Sequence, residues 1–263
     1  MNRNLLKKIS LFRHKLSLFL LPLFIILMHL PFVFARVKPN SKNTSIPINQ
    51  ATSYAKSVSM KTANLSYLLY DSLQLNTLGL SEAAFDYAIK GYDYLRSLGK
   101  LNNDGILSIV DFSLPSGKKR LFVIDMQNCK VMFNTYVAHG RNSGKEYARE
   151  FSNNPESFKS SLGFYITKGT YIGEHGFSLK LEGEEKGIND NAFSRAIVIH
   201  CADYVNEGIA RSQGYIGRSL GCPALPKKYA TPIIKTIKDG SCFFMYSPNS
   251  RYLSHSPILQ SAS

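Results

Sequence analysis

Cys222 stands in the run Ser219-Leu220-Gly221-Cys222-Pro223, and His200 closes the apolar run Ala196-Ile197-Val198-Ile199-His200 upstream. A thiol between a glycine and a proline sits where a chain turns sharply, so its sulfur can face outward. The apolar run reads as a buried strand ending in an imidazole. A Cys and a His on separate elements are the minimum set for thiol acyl transfer: the imidazole takes the proton and the thiolate attacks a carbonyl carbon. Along the strand, Ile197, Ile199 and Cys201 share one face and Val198 and His200 the other. Cys201 is therefore expected to join the isoleucines in the core, leaving Cys222 to approach the imidazole from a separate turn. A nearby imidazolium is expected to lower the Cys222 pKa. The amides of Gly221 and Cys222 are expected to be free to aim at a developing oxyanion, where losing one donor costs about 3 kcal/mol of barrier.

The elements that must position this pair follow from the apolar spacing. Residues 54–104 read as a helical segment, with short pieces around Leu65, Leu68, Leu69, Leu73, Leu75, Leu78 and Leu80. Ser81 is a good N-cap for a helix from Glu82 to about Leu98, with Gly99 as its stop. Phe85, Ala88, Ile89, Tyr92 and Leu95 make one stripe, expected to pack on a sheet. Strand patterns then take over at 106–112, 119–126 and 131–138, joined by short polar turns, and predict a β-meander. Residues 141–160 are polar and irregular. Further strands are expected at 163–167, 171–173, 177–181, 196–201 and 241–246, with a loop or short helix over 202–218 and a short helix starting at Thr231-Pro232. The predicted class is mostly β, a catalytic domain over 105–248 with flanking helices behind an N-terminal helical segment, and a tail over 249–263.

The N-terminus bears on location. Arg3, Lys7, Lys8, Arg13 and Lys15 precede an apolar run from Leu16 to Phe34 that closes on Val33-Phe34-Ala35. This is the pattern of a secretory signal peptide over residues 1–35, and residues 36–53, rich in Ser, Asn, Thr and Pro, read as a linker. The competing reading is an uncleaved anchor, since about 20 apolar residues suffice to span a bilayer. Removing the five basic residues lowers the formal charge from +14 to +9. A basic exported protein suits an anionic envelope polymer or membrane surface. Nucleic acid is not an expected partner, because no DNA- or RNA-binding motif is present and export removes it.

The four cysteines, Cys129, Cys201, Cys222 and Cys242, contain no C-x-x-C pair. With Cys222 free, one disulfide at most is left, and Cys201 and Cys242 read as buried thiols in apolar strands. A zinc site from His200, Cys201, Cys222 and Cys242 lacks paired ligand spacing.

These residues resemble a known family. His200 followed after a gap by Ser219-Leu220-Gly221-Cys222 is similar to the signature of the L,D-transpeptidase (YkuD-type) catalytic domain. The blocks 138–144 (AHGRNSG), 151–153 (FSN), 160–165 (SSLGFY) and 221–225 (GCPAL) resemble its murein L,D-transpeptidase-like branch. The resemblance covers about residues 105–247 and implies a sandwich-like β fold. It implies Cys222 as nucleophile, His200 as base, the Cys201 carbonyl as the group orienting the imidazole, Ser219 as support of the turn, and Gly221 and Cys222 as oxyanion donors. It implies peptidoglycan stem peptides as substrate, no cofactor, and the periplasm or cell envelope of a bacterium as location. The chain departs from the wider family at Leu220, where His is usual, and at Ala224, where Arg is frequent. His139, Arg141 and Arg218 are candidates to replace those groups in binding substrate. The same thioester resolved by water gives an L,D-carboxypeptidase or hydrolase, and loss of chemistry gives a murein-binding protein of the same fold.

Overall fold

The computed structural model describes residues 65–262. The signal and linker readings lie outside them. Two short helical pieces, 65–72 and Leu75–Leu78, precede α1 (Glu82–Ser97). Ser81 Oγ accepts from the Ala84 amide, and Gly99, at φ +65°, ends the helix. All five stripe residues of α1 are buried. Gly91, on the same helix, leaves no room for a side chain, since a Cβ there would meet the Phe164 ring at 2.0 Å. The ring occupies the space that the missing side chain leaves.

The eight strands are β1 (Ile106–Asp111), β2 (Leu121–Asp125), β3 (Lys130–Thr135), β4 (Gly163–Gly173), β5 (Gly176–Gly183), β6 (Val198–Cys201), β7 (Ala224–Leu225) and β8 (Cys242–Tyr246). Their order in the sheet is β3-β2-β1-β8-β4-β5-β6-β7. The predicted meander is β1-β2-β3, antiparallel throughout. β8 inserts parallel to β1 and antiparallel to β4. Both central strands, β1 and β8, are buried along their whole length. That matches their near-continuous apolar sequences. Beyond β3, Ala138 bridges Ala224 of β7 and Gly140 bridges Ser219, so the two ends of the sheet meet and it nearly closes. The mostly β class with flanking helices is the architecture observed.

Helix α2 (Glu207–Gln213) lies in the 202–218 segment, and α3 (Lys227–Ile237) packs on β6, β1 and β5. Three expectations are corrected. The strands expected at 163–167 and 171–173 are one strand, β4, with a register shift between Thr167 and Thr170 that carries the ladder through the polar stretch. α3 starts at Lys227, so Pro232 lies inside it. The buried stripe Ala230, Ile233, Ile234 and Ile237 holds the helix despite the missing amide. The stretch read as a tail folds into α4 (Ser250–His255) and α5 (Pro257–Ser261). Asn249 and Ser256 cap them, and Tyr252, Ile258 and Leu259 are buried.

Candidate active site

The seam where the sheet closes holds the candidate residues. β6 and β7 run parallel with His200 opposite Ala224, two residues after Cys222. Continuing that register backwards sets Cys222 beside Val198, whose amide faces the sulfur. Val198 and His200 share a face of β6, about 6–7 Å apart along the strand.

The His200 ring is 4% exposed. Its Nδ1 lies 2.9 Å from the Cys201 carbonyl. A carbonyl only accepts, so Nδ1 carries the hydrogen and Nε2 keeps a lone pair. Burial lowers the His200 pKa below its usual value, the Cys201 carbonyl opposes this, and His175 adds to the lowering. The imidazole is thus neutral at pH 7.

The turn carrying the thiol is held from several sides. Ser219 Oγ donates to the Cys222 carbonyl at 2.6 Å and accepts from the Gly221 amide at 3.1 Å. The Ser219 amide donates to the His139 carbonyl, and the Arg141 amide donates to the Ser219 carbonyl. Ser160 Oγ links the Gly140 amide to the Gly221 carbonyl. Gly221 sits at φ +127°, and a Cβ there would lie 2.9 Å from the Lys159 carbonyl oxygen. The turn therefore requires glycine at this position. Leu220, in the family's usual His position, is exposed. Ala224, in the frequent Arg position, is fully buried between its partners Ala138 and His200.

The Cys222 thiol is half-buried and donates to the Ala196 carbonyl at 3.7 Å. No hydrogen bond joins it to His200 among the described residues. Burial pushes its pKa up, while the Val198 amide and the Arg195 charge pull it down. The pair is thiol and neutral imidazole, the arrangement for general-base activation and not a preformed ion pair. The lowered thiol pKa expected from an imidazolium is therefore not what the geometry gives, since His200 is itself held neutral by burial. The Gly221 amide is likewise engaged by Ser219. Only the Cys222 amide has no hydrogen-bond acceptor among the described residues.

The remaining residues divide. Cys201 is half-buried and not a core thiol, because its Sγ turns to donate to the His175 carbonyl at 3.3 Å. Cys242 is buried and Cys129 exposed, and all four thiols are free. His139 is not available to substrate. It is fully buried, takes a hydrogen bond at Nδ1 from Arg120 at 2.7 Å, and places Nε2 3.2 Å from the Gly144 carbonyl. Burial and the Arg120 charge pull its pKa down to about 3. Arg141 and Arg218 are exposed beside the turn. Arg141 lies over the Phe158 ring, and Arg218 donates to the Gly144 carbonyl. Among the described residues no three His, Cys, Asp or Glu side chains gather as metal ligands.

Sequence reasoning missed Arg195 and His175, and named Ser160 only as part of the 160–165 block, with no role. Arg195 donates to the Ser152 and Lys159 carbonyls at 2.8 and 2.7 Å and to Ser161 and Ser157, pinning the 152–161 loop beside the thiol turn. It belongs to no apolar period, so nothing in the pattern marks it. The five motif blocks are scattered over some 90 residues of sequence. They converge here, because Ser152, Ser160 and Gly140 all brace the turn or the residues touching it.

The family model for the L,D-transpeptidase catalytic domain matches residues 76–246. No curated protein matches. Among solved structures the chain is similar to an L,D-transpeptidase from Mycobacterium smegmatis, with 13% identity over 54% of this chain and 59% of that one, at a TM-score of 0.34. It is similar also to the helical cell shape determining protein Pgp2 from Campylobacter jejuni, with 14% identity over 67% and 60% and a TM-score of 0.38. The chain thus spans less than two thirds of the length of either. By the span that its family model matches, the chain belongs to the L,D-transpeptidase catalytic domain family.

Proposed function

We propose that the protein is an exported cysteine acyltransferase acting on peptidoglycan stem peptides. The observation that carries this is the His200 ring, fixed by its Nδ1 bond with Nε2 left basic, one strand step along from the amide that faces Cys222 Sγ. Nε2 takes the thiol proton as Sγ attacks the carbonyl between the L-centre of a diamino acid and the terminal D-alanine. The Cys222 amide supports the oxyanion. The amide C–N bond breaks, His200 returns the proton to the departing D-alanine amine, and a thioester remains. An amine of a second stem then attacks the thioester, the thiol is regenerated, and a cross-link forms. Arg141 and Arg218, both exposed at the turn, supply cations for the stem carboxylates. Residues 1–35 serve as the export signal, 36–53 as linker, 54–104 as the helical segment and 105–248 as the catalytic domain in the cell envelope. Among the described residues no helix is long and apolar enough to cross a membrane.

Intact-protein mass spectrometry with a disaccharide-tetrapeptide tests this. The expected result is an adduct on the native protein, none on C222A, and a cross-linked dimer lacking one D-alanine. A tripeptide product instead assigns water as the acceptor and makes the protein a carboxypeptidase. No adduct and no product, with the tetrapeptide still bound, replaces the enzyme reading by a binding protein.

A further inference from the structure

The ring of His175 lies 4.4 Å from that of His200, with 25° between their planes. His175 comes from the turn between β4 and β5. The ladder ends at the pair Gly173 and Gly176, so Glu174 and His175 form a two-residue tip. The His175 carbonyl also accepts the Cys201 thiol. The tip is therefore tied to β6 by a ring contact on one face of the strand and a hydrogen bond to the next residue. His175 is exposed on its outer side, while His200 beneath it is buried.

We propose that His175 is a positioning residue for His200: its ring fixes the plane of the base with Nε2 toward the Cys222 turn. This rests on the reading of His200 as the base. The stacked ring of His175 offers a π face to the imidazolium that forms on His200. The other titratable or charged groups near His200 are few. Cys201 is on its own strand, and Cys222 comes from the turn before β7. Lys180 lies opposite Val198 on β5, and Lys227 pairs with Asp203 beyond the strand end. α3 presents only Ala230 and isoleucines as buried residues. His175 is the group in ring contact.

The test uses the full chain and two variants, H175A and H175F, with iodoacetamide alkylation of Cys222 followed by peptide mapping from about pH 5 to 9. NMR titration of labelled histidines reads His200 directly. In H175A, alkylation at pH 8 is expected to fall about tenfold, a small part of the ~100–10,000-fold that a positioned base supplies. In H175F, which keeps a stacked ring, the rate at pH 8 is expected to stay within about twofold. An H175A protein with the native alkylation profile and an unchanged His200 titration overturns the proposal. Equal losses in H175F and H175A overturn the role given to the stacked ring. Alkylation changing as expected in a protein that leaves stem peptides untouched upholds the role of His175 and overturns the peptidoglycan reading, so the two failures are distinct.

Discussion

Ser219 Oγ stands between the two ends of the thiol turn, donating to the Cys222 carbonyl at 2.6 Å and accepting from the Gly221 amide at 3.1 Å. One hydroxyl thus sets the direction of the backbone that carries the sulfur. Ser219 is only 5% exposed, so water does not replace it readily. S219A leaves a buried amide without its acceptor and is expected to cost about 1–3 kcal/mol in urea denaturation. The same variant is expected to slow Cys222 alkylation, with S219T restoring part of both losses.

Three of the four thiols differ in environment enough to be ordered by alkylation of the native protein. Cys129 is exposed, Cys222 half-buried, and Cys242 buried in β8 with its pKa pushed up by that burial. Peptide mapping after timed iodoacetamide exposure is expected to label Cys129 first, then Cys222, and Cys242 only after unfolding. An acyl adduct from a stem peptide is expected on Cys222 alone and to persist in C201A.

Acid sensitivity of the fold has a named source in His139. Its pKa is about 3 in the folded protein, pulled down by burial and by Arg120, against about 6.5 in an unfolded chain. Between these values the unfolded chain binds the proton and the folded one does not. Stability is therefore expected to fall as pH drops below about 6.5, by up to about 1.4 kcal/mol per pH unit from this group. It is unaffected by His139 above that pH. H139Q is expected to be less stable than the native protein at pH 8 but to show a shallower acid slope in urea titrations at stepped pH.

Arg195 binds the 152–161 loop through four hydrogen bonds and lowers the Cys222 pKa by its charge. R195A is expected to raise the pH midpoint of Cys222 alkylation and to increase proteolysis near Pro155. R195K keeps the charge but not the planar fork. It is expected to restore the alkylation midpoint more fully than the protease resistance.

The acid limb of turnover reports His200. Its imidazole is held below the usual histidine range by burial, so its basic form persists to lower pH. The midpoint of kcat/KM is expected below about 6.5. H200Q is expected to lose the limb together with most of the rate.

Local order in this protein was legible in the residue pattern. Ser81 and Gly99 bound a helix whose apolar stripe is periodic, and 106–112, 119–126 and 131–138 alternate or run apolar as strands do, because side-chain spacing follows backbone period. The Gly221-Cys222-Pro223 turn and the imidazole ending an apolar run marked the pair of interest for the same local reason. Long-range pairing was decided only in three dimensions. The insertion of β8 beside β1 and the meeting of Ala138 with Ala224 depend on which edges bury most apolar surface, and a linear pattern does not encode this. Protonation was decided there too. His139 and His200 are the same residue type at similar strand ends. One is locked between Arg120 and the Gly144 carbonyl, and the other keeps a free nitrogen, because desolvation and partners belong to the folded surroundings. Arg195 and His175 reach the site from loops with no periodicity, and only closure of the sheet brings them against the thiol turn and the imidazole.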